Sequence, residues 1–148
     1  MAPWKLLCCP VDFSRESWIA MQEAAELAHR NGGDLVLVHV DDRPVASGIA
    51  GSLAPTEIST GATLEVERQV GEWAEAARHV VGRPVKFVLL AGTPAEEIVR
   101  FAREGRYDAI VMGTHGRAGR EHLVFGSVAE AVVREAPCTV VVARARPA

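Results

Sequence analysis

The sequence predicts an α/β fold: one open five-stranded parallel sheet with helices on both faces. Three observations predict it. Apolar runs of strand length alternate with segments of helical period, in the order β-α-β-α-β-α-β-α-β. The runs are nearly continuously apolar rather than alternating, as strands covered on both faces require. Right-handed crossovers then leave an open, doubly covered sheet as the simplest arrangement.

The first strand is Trp4 to Val11 (WKLLCCPV), and a helix from Ser14 to Asn31 follows. Trp18, Met21, Ala25 and Ala28 form one stripe of that helix, and Gly32-Gly33 stops it. Asp34 to Val40 (DLVLVHV) is the second strand. Residues 41–63 (DDRPVASGIAGSLAPTEISTGAT) lack a helical face and read as an insert, either a flap over a pocket or a surface loop.

Leu64 to Val81 sets Val66, Val70, Trp73, Ala77 and Val80 at helical spacing, and Val85 to Leu90 is the third strand. Thr93-Pro94-Ala95-Glu96 then starts a helix, with Thr93 as cap, Pro94 in the first turn and Glu96 completing a capping box. Its buried face is expected from Ile98, Val99, Phe101 and Ala102. Ala109 to Met112 is the fourth strand. A second capping box, Ser127 with Glu130, opens a helix running towards Pro137, and Thr139 to Val142 is the last strand.

At 148 residues the chain fits one domain, 1–148, with the insert inside it. A net charge of −3 and a pI near 5.9 argue against nucleic acid as a partner. No apolar run approaches the roughly 18 residues of a membrane helix. Met1 to Val11 does not read as a signal peptide, so a cytoplasmic location is expected. Cys8 and Cys9, adjacent in a strand, point to opposite faces, and Cys138 is far away in sequence. They read as small thiols in a reducing compartment, with no metal spacing among them.

In a sheet of order 3-2-1-4-5 the strand order reverses between the first and fourth strands, and a ligand sits beyond their C-terminal ends. The segments to inspect are therefore 10–14 and 113–127. In the second, Gly113, Gly116, Gly119 and Gly126 permit close backbone approach, Arg117 and Arg120 bring positive charge, and His115 and His122 bring donors. The helix after Gly126 adds its N-terminal N–H groups. Together these suit a polyphosphate. Each feature alone has a structural explanation in turns and caps. No GxxxxGK[ST] loop is present.

Gly113-x2-Gly116-x9-Gly126-Ser127 resembles the ATP-binding signature of the universal stress protein family, G-x2-G-x9-G-[S/T], at every fixed position. Pro10-Val11-Asp12-Phe13-Ser14 and Leu37-Val38-His39-Val40 are similar to the family's first and second strand ends. The likeness spans nearly the whole chain outside 41–63. It implies the 3-2-1-4-5 order of the Rossmann-like, adenine nucleotide α-hydrolase-like fold, and a nucleotide-dependent stress-response module.

Carried over by position, Gly113, Gly116 and Arg117 would wrap ribose and phosphates, and Gly126 and Ser127 would hold phosphates. Met112 and Val128 would line the pocket. Pro10, Val11 and Asp12 would frame the nucleoside, with Asp12 facing ribose or a phosphate-bound magnesium. Val40 would contact adenine. From the residues alone, Asp12 could instead cap the first helix and Val40 could be plain core. The resemblance also implies a homodimer through Thr139 to Ala143, an apolar edge strand without proline; the Arg144 and Arg146 ending could limit that pairing.

Nothing in the sequence demands catalysis. His39 reads as a hydrogen-bonded structural histidine, and His29 and His79 as solvated helix residues. A slow ATPase or nucleotide hydrolase of the same fold, and an interaction dimer without nucleotide, remain the alternatives.

Overall fold

The computed structural model describes residues 3–42, 61–115 and 126–145, with only the backbone for 61–63. Five strands, β1 (Leu6–Pro10), β2 (Asp34–Asp41), β3 (Lys86–Ala91), β4 (Ala109–Gly113) and β5 (Thr139–Ala143), form one parallel sheet in the order β3-β2-β1-β4-β5. The helices are α1 (Arg15–Asn31), α2 (Gly61–Val81), α3 (Pro94–Glu104) and α4 (Ser127–Glu135). This is the expected architecture and strand order.

Central β1 sets the register on both sides: Cys8 lies opposite Val36 of β2 and Ile110 of β4. Alternation along β1 divides the core. Leu7 and Cys9 join Leu35, Leu37 and Val111 beneath α1 and α2. Cys8 joins Val38, Ile110 and Met112 beneath α3 and α4. Both adjacent thiols are buried, which pushes their pKa values far up and keeps them protonated.

Several boundaries differ from expectation. Ser14 sits outside α1 as its N-cap, its Oγ accepting the Ser17 N–H at 3.1 Å. Thr93 holds the N-cap position of α3 but makes no side-chain cap bond, so the expected capping box with Glu96 is not formed. The insert is trimmed at both ends, because Asp41 belongs to β2 and α2 begins at Gly61. Its middle, 43–60, lies outside the described residues, and the flap reading with it. In α2, Val80 is exposed while Ala74 and Val81 are buried, so the buried stripe drifts from the expected one near the helix end. Among the described residues no helix is long and apolar enough to cross a membrane.

Candidate functional site

Beyond the C-terminal ends of β2, β1 and β4 lies a cavity of about 530 Å³. It spans the point where strand order reverses, and its size falls in the range of small-molecule sites. Pro10, Val11, Asp12, Val40, Met112, Gly113, Gly126, Ser127 and Val128 all line it. Gly116 and Arg117 lie outside the described residues.

The strand order lays out its chemistry. Val38 and Val40 at the end of β2, with Ile98 of α3, supply an apolar wall. Pro10, Val11 and Asp12 stand at the middle, above β1. Met112, Gly113, Gly126 and Ser127 close the far end, where β4 leads into α4.

At this edge of the sheet the N-termini of α1, α3 and α4 are not equivalent. In α1 the cap is internal: Ser14 Oγ takes the Ser17 N–H, Ser14 C=O takes the Trp18 N–H (3.1 Å), and Asp12 Oδ1 takes the Ser14 N–H (3.0 Å). In α3, Pro94 removes one donor, and Glu96 and Glu97 put negative charge on the first turn. In α4 the N-cap is Gly126, which has no side chain to offer. Its C=O accepts the Glu130 N–H at 3.0 Å, leaving the N–H groups of Ser127, Val128 and Ala129 without intrahelical acceptors at the cavity. An anion is the natural partner for that end.

The expected Ser127–Glu130 capping box is therefore corrected: Ser127 is the first residue of α4, and its exposed hydroxyl has no hydrogen-bond partner among the described residues. The cause is steric. Gly126 donates its N–H to Thr114 C=O at 2.5 Å, and a Cβ there would lie 2.8 Å from that oxygen. Only glycine fits the closing point, so the cap falls on it. Gly113 is similarly constrained, since a Cβ would come within 2.8 Å of the Glu16 backbone on α1. The first and last glycines of the signature thus answer to helix packing and loop closure.

Residues missed in the sequence complete the site. Phe13 lines the cavity with a left-handed backbone (φ 66°), which costs a residue with a Cβ on the order of 1–2 kcal/mol. The sequence marks its segment, 10–14, but not its left-handed backbone, because phenylalanine is not expected in that conformation. His39 is hydrogen-bonded as expected, its Nδ1 lying 2.7 Å from Val11 C=O, yet it also lines the cavity. A carbonyl only accepts, so Nδ1 carries the hydrogen. Thr114, buried, and Gln69 of α2 add polar groups. Asp12 does not cap α1, because Ser14 holds that position; its Oδ1 instead orders the turn before the helix, and the residue lines the cavity. Among the described residues, no group of three or more His, Cys, Asp or Glu could hold a metal ion.

Comparison with known proteins agrees with this architecture. Residues 3–144 match the model of the universal stress protein family. The chain is 33% identical over 147 residues to universal stress protein MJ0531 of Methanocaldococcus jannaschii, an alignment covering 95% of this chain and 82% of that protein. The structure of MJ0577 from the same organism superposes with a TM-score of 0.82 at 26% identity, covering 99% of each chain. A universal stress protein of Archaeoglobus fulgidus, solved in complex with dAMP, shares the fold at a TM-score of 0.69 and 24% identity, covering 97% of this chain and all of that one. The chain belongs to the universal stress protein family.

Proposed function

We propose that this protein binds ATP in the cavity above β1 and acts as a nucleotide-dependent regulatory module of the stress response in the cytoplasm. The whole 148-residue domain, with its insert between β2 and α2, is the binding unit. The observation that carries the reading is the glycine-capped start of α4 at one end of a cavity whose other end has an apolar wall of Val38, Val40 and Ile98 beside the polar Asp41, Asp42 and Gln69. Adenine lies against Val40, and Pro10, Val11 and Asp12 frame the nucleoside. The phosphates run towards Gly126 and Ser127, past Met112 and Val128, with Gly113, Gly116 and Arg117 wrapping ribose and phosphates. Magnesium is held mainly through the phosphates, with Asp12 facing it or the ribose. The dAMP held by the Archaeoglobus fulgidus relative is a nucleotide on the same fold.

Protein isolated without added nucleotide, then heat-denatured, should release near-stoichiometric ATP on anion exchange. Titration calorimetry of emptied protein with ATP and magnesium should give saturable heat. Empty protein that also gives no heat would end the reading.

The working unit is a homodimer paired through β5. That strand lies at the sheet edge, with Val140, Val141 and Val142 only half-buried. An apolar edge strand of this kind pairs readily with a second copy. Val141→Lys should give monomers in sedimentation velocity; an unchanged profile would exclude this interface.

A further inference from the structure

We propose that Phe13 is a positioning residue of the nucleotide site: its ring, wedged between His39 and Trp73, holds the left-handed turn that presents Asp12 to the ligand. The proposal rests on the ATP reading and adds to it a mechanical link from the site to helices α1 and α2.

Residues 11–14 are anchored on both sides of Phe13. Val11 N–H donates to Val38 C=O at 2.8 Å, and His39 Nδ1 donates to Val11 C=O. Asp12 N–H donates to Ser17 Oγ at 3.3 Å, and Ser14 N–H to Asp12 Oδ1 at 3.0 Å. At the centre stands a non-glycine residue with φ 66°, a conformation that a phenylalanine holds only when its surroundings impose it.

The surroundings are aromatic. The Phe13 ring lies 4.8 Å from the His39 ring, tilted by 35°, and 5.4 Å from Trp73 in an edge-to-face contact. Trp73 of α2 meets Trp18 of α1 edge-on at 4.9 Å. The ring therefore ties the turn to the layer formed by α1 and α2, and both tryptophans sit within one aromatic chain of the cavity. Without the ring only the hydrogen bonds that flank Phe13 oppose relaxation of the strained backbone, and relaxation moves Asp12 from its place. By the same coupling, occupying the site changes the environment of Trp73.

The test compares wild-type protein with Phe13→Ala and Phe13→Tyr by calorimetry with ATP and magnesium, by tryptophan emission, and by hydrogen exchange at Asp12 and Ser14. Phe13→Ala should stay folded, bind ATP roughly tenfold more weakly, as loss of aromatic contacts of this type implies, and lose amide protection at those positions. Wild-type emission should shift on ATP addition, the shift should vanish in Phe13→Ala although Trp18 and Trp73 remain, and Phe13→Tyr should restore affinity and shift. If Phe13→Ala does not fold, Phe13→Leu carries the same comparison. A ring that only stabilises the fold would lower the melting temperature and leave affinity and emission shift intact, overturning the proposal alone. Wild-type protein without ATP heat would overturn the nucleotide reading and this inference with it.

Discussion

At the N-terminal ends of the strands, the chain ties itself together. Asp108 Oδ2 accepts the N–H groups of Lys5 (2.8 Å) and Leu6 (2.9 Å), and Asp108 N–H donates to Leu6 C=O. Asp34 N–H donates to Lys5 C=O, and Gly33 packs so tightly on Trp4 that a Cβ would lie 2.6 Å from its carbonyl oxygen. At the C-terminal ends the same strands open into a cavity of about 530 Å³, and the start of α4 carries no side-chain cap. One edge commits its polar groups to the fold, and at the other the first N–H groups of α4 have no intrahelical acceptor. Substitutions at the two edges should therefore separate stability from binding.

The largest effect is expected from Ser127→Asp. A carboxylate at the first position of α4 favours the helix dipole and should raise stability by about 0.5 kcal/mol. The same charge close to a phosphate costs about 4 kcal/mol at an effective dielectric near 20, so ATP affinity should fall by at least ~100-fold. Calorimetry and thermal melting read the two effects separately. Equal affinity in the variant would remove the phosphates from α4.

At the opposite edge, Asp108→Ala removes the acceptor for two backbone N–H groups and should cost about 1–2 kcal/mol in denaturant unfolding. ATP affinity should not change. A parallel loss of affinity would mean that the two edges are coupled through β1 and β4. A smaller effect sharpens the contrast within the upper edge. Ser14→Ala deletes the internal cap of α1 and should cost about 1 kcal/mol without altering affinity, because that helix start is already satisfied by its own chain.

The elements were legible because buried parallel strands must be apolar throughout, and runs such as DLVLVHV admit little else. The caps were less so. Ser127 and Glu130 have the spacing of a capping box, and only the carbonyl of Thr114 beside Gly126 shifts the cap by one residue. Gly113 shows the same limit. A glycine looks alike in sequence whether a phosphate or the Glu16 backbone excludes its side chain, and the excluding atom belongs to another element. The left-handed backbone of Phe13 was invisible for the opposite reason, since local preference would put glycine at a left-handed position and only the rings of His39 and Trp73 favour phenylalanine.

The smallest effect concerns pH. Tyr107 precedes β4 near the lower edge, half-buried and with its ring 5.0 Å from that of Phe101. Burial, and to a lesser degree the neighbouring Cys8, pushes its hydroxyl up to about 12. An unfolded tyrosine ionises near pH 10, so between roughly pH 10 and 12 the unfolded chain gives up this proton first and ionisation draws the equilibrium towards it. The contribution of Tyr107 to stability is thus complete below pH 10 and lost as pH rises through 12. Tyr107→Phe keeps the ring and removes the titration, so its melting temperature should fall less steeply than wild type across that window. Identical slopes would mean that the hydroxyl reaches water in the folded protein, and that this part of the lower edge is less closed than its packing against Phe101 implies.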